Sequence, residues 1–135
     1  MKAVFDTNIL VSAIVFGGPP RAALELAIEG HVQLLISEPI IIELKAVLQR
    51  PKFNFSFSAT QQIIAELLNL AEMIYPTQSF DIITRDPDDN RILECAAAGG
   101  SRYIVSGDDD LLTLREFKGI SIVAPAAFLK VMKTH

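Results

Sequence analysis

Four short apolar runs, KAVF (2–5), VQLLIS (32–37), YIVS (103–106) and ISIVA (120–124), recur along the chain with helix-forming segments between them. Each run is continuous and does not alternate with polar residues, as expected of a strand covered on both faces. Strands separated by helices pair in parallel, because a parallel neighbour is reached only through a long crossover. The expected fold is therefore α/β: a single doubly wound domain over residues 1–135, a central parallel sheet with helices on both faces. The length suits one domain with a real core, and no internal repeat or linker divides the chain.

Punctuation marks the helices. GGPP (17–20) ends a helical segment that follows DTN (6–8), and PRAALELAIEG (20–30) begins with proline and ends with glycine. Ser37 reads as the N-cap of EPIIIELKAVLQR, which Pro51 closes. Ser58 and Gln61 form a capping-box pattern before a helix through IIAELLNLAEMI. RDPDDNRILECAAAGG (85–100) opens on Asp-Pro and closes on Gly-Gly, and Pro125 starts a last helix reaching Lys133.

Half the residues are hydrophobic and 21% are charged, which excludes a disordered chain. No apolar run approaches the ~20 residues of a membrane span. MKAVFDTNIL is too short and too interrupted for a signal peptide, so a cytoplasmic protein away from membranes is expected. The single Cys95 excludes an internal disulfide and a cysteine zinc cluster, and beside Leu93 and Ala96 it packs as a small hydrophobe. A net charge of −4 argues against nucleic acid at first sight. Bound divalent cations would reverse that, so the charge does not decide the partner.

The acids are the unusual feature. Asp108, Asp109 and Asp110 stand in a row after an apolar run, although two such charges ~6 Å apart oppose each other by ~0.7 kcal/mol even in water. Asp6 occupies the equivalent place after the first strand, and ligands of open α/β sheets bind at the carboxyl ends of strands. Helix capping is the simpler reading of Asp6, Thr7 and Asn8. Glu43 borders the apolar stripe of Ile40, Leu44, Val47 and Leu48, where an unpaired carboxylate is costly and an ion pair is the ordinary remedy. Asp86 can cap its helix, but Asp89 lines up with Ile92, Leu93 and Ala96, whereas Asp88 lies further round toward Arg91. Asp6, Glu43, Asp89 and Asp108 thus come from four segments toward one region. Oxygen ligands without histidine or cysteine favour Mg²⁺ or Mn²⁺.

The stretches VFDTNILVSA, SEPIIIEL, DPDDNRILECAAAGG and YIVSGDDDLL, in this order and spanning nearly the whole chain, resemble the PIN-domain nucleases. Within them the chain is most similar to the toxins of bacterial and archaeal toxin–antitoxin pairs. The resemblance implies a metal-dependent endoribonuclease with its acids at Asp6, Glu43, Asp89 and Asp108. Asp110 matches a second acidic position of the last motif and joins the metal residues, while Asp109 is expected to face solvent. Thr7, Asn8 and Ser106 match small polar positions beside the acids. The implied partners are an RNA substrate, a cognate antitoxin and a second copy of the chain.

Two other classes compete. An aspartate-based phosphohydrolase sets acids at strand ends but wants an aspartate two after the first, where this chain has Asn8, and a later lysine, absent between Lys52 and Lys118. A non-catalytic module of the same fold would not need four acids. His31 and His135 are read as solvated, which leaves no histidine for acid–base chemistry. Phe53, Phe55 and Phe57 alternate in KFNFSFS, with one or two expected to anchor the loop in the core. Arg50, Lys52, Arg85, Arg91 and Arg102 are candidate phosphate contacts.

Overall fold

Val4 and Ile104 lie side by side at the centre of a six-stranded sheet, and every residue around them on both strands is buried except Lys2. Successive strand side chains point to opposite faces, so this uninterrupted burial means that both faces are covered. The computed structural model of the chain describes residues 1–134; the reading of His135 lies outside them. The strands are β1 (Lys2–Phe5), β2 (Gln33–Ser37), β3 (Glu72–Ile74), β4 (Tyr103–Val105), β5 (Glu116–Phe117) and β6 (Ile120–Val123). Their order is β3-β2-β1-β4-β6-β5, parallel throughout except for the β5–β6 pair.

The helices are α1 (Thr7–Val15), α2 (Gly18–Ile28), α3 (Glu38–Leu48), α4 (Phe57–Leu70), α5 (Asp89–Gly99), α6 (Asp109–Leu114) and α7 (Pro125–Lys133). The chain runs outward from β1 through β2 to β3, then returns through α5 to place β4 on the other side of β1. The strand order reverses between β1 and β4, which is where such sheets bind ligands. The expected doubly wound parallel architecture is the observed one. No single helix among the described residues is long and apolar enough to cross a membrane, and α1 and α2 bend by 96° at their junction.

Several local readings are corrected. Residues 72–74 form β3 and do not extend the preceding helix, because Ala71 turns extended and the segment pairs with Leu35–Ser37. Helical spacing of the apolar residues gave no sign of this, since sheet pairing overrides local preference. The N-cap of α4 is Ser56, whose hydroxyl accepts the Ala59 N–H at 3.0 Å, and Ser58 lies inside the first turn. Phe53 and Phe55 pack on the core and fix where that helix begins, while Phe57 is 71% exposed. Ser37 holds the N-cap position of α3 without making a cap bond; its buried hydroxyl has no hydrogen-bond partner and lies near the Cys95 thiol. Burial pushes that thiol up to about 12, which leaves it unreactive. Helix α3 stops at Leu48, before Pro51, and α5 starts at Asp89, after the Asp-Pro turn.

The Gly-Gly pair divides its work. Gly100 takes the left-handed conformation that closes α5, with φ 66°. Gly99 is still helical, and a Cβ there would stand 2.6 Å from Leu35 Cδ1 and 3.0 Å from Ile74 Cγ1. Helix α5 therefore lies unusually close to β2 and β3, and Leu35 is too enclosed to swing aside. Gly99→Ala gains ~1 kcal/mol of helix propensity but overpacks this contact at a cost of ~1–3 kcal/mol. The expected result is a net loss of about 1 kcal/mol, read as a lower denaturation midpoint at unchanged slope.

Candidate metal centre

The register of β1 with β4 sets Phe5 opposite Val105, so the next residues, Asp6 and Ser106, emerge together at the carboxyl edge. Asp6 N–H extends the ladder by donating to the Val105 carbonyl at 3.0 Å. The Asp6 side chain is only 3% exposed and uses both oxygens. Its Oδ1 accepts the Ile9 N–H at 2.8 Å and so caps α1, and its Oδ2 accepts the Ser106 hydroxyl. Capping and site membership are thus one arrangement. Ser106 Oγ in turn accepts the Asp108 N–H at 2.9 Å, which ties the first acid to the backbone of the aspartate triplet.

Asp108 begins α6 as its N-cap, and the short helix turns Asp109 outward and Asp110 inward. Carboxylate oxygens of Asp89, Asp108 and Asp110 all lie within 4.8 Å of one another. Asp89 Oδ2 is buried without a hydrogen-bond partner. A carboxylate with a buried oxygen that lacks a donor, close to two more carboxylates, calls for a cation or a proton. The donor set is all oxygen, so the residues present fit Mg²⁺ or Mn²⁺.

Glu43 stands outside the close triad and reaches the site through Thr7, whose hydroxyl donates to Glu43 Oε2 at 3.1 Å. Among the described residues it has no ion-pair partner, so the simple alternative of a salt bridge is not what holds it. Asn8 is exposed. The structure brings Asp89, Asp108 and Asp110 together, sets Asp6 and Ser106 behind them, and joins Glu43 and Thr7 at the side.

The electrostatics show the strain of this arrangement. Burial, reinforced by Asp108, pushes Asp89 up to about 8, and Asp86 and Asp6 add to the effect. Burial raises Asp6 to about 6 against the opposing pull of its Ser106 and Ile9 hydrogen bonds. Glu43 is raised too, by burial first and by Asp88 and Asp86 after it, with Thr7 and Arg50 opposing.

Two residues escaped the sequence reading. Asn90, 1% exposed, accepts the Ile82 and Ile83 N–H groups at 3.0 and 2.9 Å and donates to the Ile83 and Pro87 carbonyls at 2.7 and 3.1 Å. Glu94, also buried, accepts the Phe80 N–H at 2.9 Å and sits 3.0 Å from Arg91 Nε, close in charge but not aligned as a hydrogen bond. Together they staple the connection before α5 that carries Arg85 and Asp86 to the acids. The available signal was Asn90 standing three before Leu93 on the inward stripe.

By fold and site this is an α/β protein with a largely parallel sheet and carboxylates converging at its topological switch point. The family model of the PIN domain matches residues 2–110, and the chain belongs to the PIN domain family. Its fold is shared with VapBC2 from Rickettsia felis, solved bound to a DNA fragment from their promoter. The TM-score there is 0.62 at 18% identity, covering 90% of this chain and 97% of that one. PAE2754 from Pyrobaculum aerophilum matches with a TM-score of 0.62 at 14% identity, covering 100% of this chain and 91% of that one. No protein of curated function matches the chain in sequence.

The raised carboxyls predict a pH dependence of stability. Between 3.8 and their raised values, Asp6 and Asp89 bind more protons folded than unfolded. Their contribution is complete below 3.8 and is lost as pH rises through about 6 for Asp6 and about 8 for Asp89. With divalent ions chelated, Asp89→Asn is expected to melt above the wild type at about pH 9, by ~1–2 kcal/mol once screening at this half-exposed site is allowed for. The gap should close toward about pH 4. Thermal melts in EDTA across that range measure it, and a variant less stable than wild type at high pH would show the carboxylate to be held by donors.

Proposed function

We propose that this chain is a divalent-metal-dependent endoribonuclease and the toxin of a toxin–antitoxin pair. The observation that carries the metal dependence is the partnerless buried Asp89 Oδ2 beside Asp108 and Asp110. Membership of the PIN domain family supports nucleic acid as the substrate. In this reading Asp89, Asp108 and Asp110 hold Mg²⁺ or Mn²⁺, and Asp6 completes the set. When bound, the ion supplies positive charge for the scissile phosphate and lowers the pKa of water.

The rest falls to the chain. Ser106 orients Asp6 and the Asp108 backbone at once, so the carboxylates keep their spacing without the ion. Thr7 fixes one oxygen of Glu43, and burial makes that carboxyl a stronger base than a solvated glutamate. We assign it the proton of the attacking water. In-line attack by that water's oxygen on phosphorus breaks the bond to the 3′ oxygen, which takes a proton from solvent, leaving 5′-phosphate and 3′-hydroxyl ends.

The antitoxin reading draws on the shared fold with VapBC2 and on an unpartnered apolar face. Ile14, Leu24, Ile28, Ile63, Leu67 and Leu70 line a groove of about 490 Å³ between α1, α2 and α4, with Ile28 and Leu68 exposed on these helices and Phe16 exposed just past α1. A homodimer belongs to the same reading. Co-expression with the product of the adjacent reading frame is expected to yield a complex that Ile28→Glu disrupts while the variant still folds; an unaffected complex would place the partner elsewhere.

End-labelled single-stranded or looped RNA tests the chemistry. Cleavage is expected in Mg²⁺ or Mn²⁺ and none in EDTA. Asp6→Asn, Asp89→Asn and Asp108→Asn should each lose more than the ~10–100-fold typical of residues that only orient a ligand, and Ser106→Ala should fall within that range. Asp109→Asn should cost far less than these three aspartate substitutions. Cleavage that survives EDTA, or ends bearing 2′,3′-cyclic phosphate, would contradict the mechanism. Turnover of small phosphate esters without RNA cleavage would mark a phosphohydrolase, and RNA retained uncut a binding module.

A further inference from the structure

The acid-lined cleft contains a cation of its own. Asp86, Asp108, Asp109 and Asp110 surround a space of about 330 Å³ whose remaining lining residue is Arg85. Its Nη1 stands 3.9 Å from Asp110 Oδ1, with the side chain 85% exposed. An ion pair that long and that open contributes little to stability and exchanges readily. Fold stability therefore does not account for an arginine at this position.

The backbone beneath it is held from both sides. Asn90 and Glu94 pin Phe80, Ile82 and Ile83 on one side and the Pro87 carbonyl on the other. The Asp86 carbonyl accepts the Asp89 N–H at 3.0 Å, which closes the turn. Arg85 stands in the exposed run 84–88 of this stapled segment. A rigid base carrying an exposed guanidinium delivers charge near one place at reduced cost in ordering.

Three of the other arginines and lysines considered as phosphate contacts are engaged elsewhere. Arg91 is paired with Glu94, Lys52 lies over the Phe53 ring, and Arg102 lies over Tyr103 at the amino end of β4. Arg50 acts on Glu43 at the side of the site and is not among the residues that line this cleft beside Asp110.

We propose that Arg85 is the phosphate-binding residue of this cleft, resting on Asp110 until a divalent cation takes that carboxylate. This rests on the nuclease reading. Ion and guanidinium compete for one carboxylate, so metal binding frees Arg85 as the site loses the negative charge that would repel RNA. The freed planar fork then matches two phosphate oxygens, which an ammonium cannot do.

The two roles give Arg85→Ala effects of opposite sign. Calorimetric titration with Mn²⁺ alone should show about two- to fivefold tighter binding than wild type, because a competing cation is gone. The KM for single-stranded RNA should rise about tenfold with kcat changed far less, and the salt dependence of KM should weaken by about one phosphate contact. Arg85→Lys should restore wild-type Mn²⁺ affinity but only part of the KM. A merely structural arginine would instead lower Mn²⁺ affinity and melting temperature together. Unchanged or weaker Mn²⁺ binding in Arg85→Ala overturns the resting contact, and unchanged KM and salt slope overturn the phosphate contact. Wild-type protein that cuts no RNA in any divalent ion would refute both the nuclease reading and the phosphate role, while the titration would still decide the resting contact.

Discussion

Phe5 lies opposite Val105 in the parallel pairing of β1 with β4, and that register decides which side chains share the carboxyl edge of the sheet. A slip of one residue would turn every side chain of β1 to the other face. Asp6 would then leave Ser106, and the link through Ser106 to the aspartate triplet would be lost. The register is held by burial on both faces, since Ala3, Val4 and Phe5 are as enclosed as Ile104 and Val105. Hydrophobic packing thus sets a polar geometry that the polar groups would not adopt by themselves.

That geometry works against the fold. Three carboxylates within 4.8 Å, one of them with a buried oxygen that lacks a partner, are an arrangement that folding energy alone disfavours. It persists because each acid is fixed by an element that has other reasons to be where it is. Asp6 caps α1, Asp108 caps α6, and Asp89 rides on a helix pressed close to the sheet through Gly99. Stored electrostatic repulsion of this kind is characteristic of functional sites, where a ligand relieves it.

The fold was legible to a large degree because its strands are fully buried. KAVF, VQLLIS, YIVS and ISIVA could only be interior strands, and their alternation with helices gave the parallel topology. What escaped were elements made by pairing. Glu72–Ile74 continues a helical apolar spacing and becomes a strand only because β2 offers an unpaired edge, and Glu116–Phe117 is two residues long. The site was legible where an acid broke an apolar pattern, as Asp89 and Glu43 do, and less so where its neighbours mattered. Asn90 reads as one more polar residue in an acidic turn until its four hydrogen bonds are seen.

The sequence by itself determined the class of fold, the family and the small set of acids, because hydrophobic continuity and residue type are properties of the chain. Only the tertiary structure decided how those acids divide. It grouped Asp89, Asp108 and Asp110 closely, set Asp6 behind them as the cap of α1, and set Glu43 beside them on Thr7. It also put Arg85 in the cleft while other basic residues found partners elsewhere. The physical reason is distance: electrostatic and hydrogen-bond energies depend on separations of a few ångströms between residues up to 100 positions apart, as Ser106 and Asp6 are. Those separations are set by strand register and helix packing, which no local stretch of sequence contains.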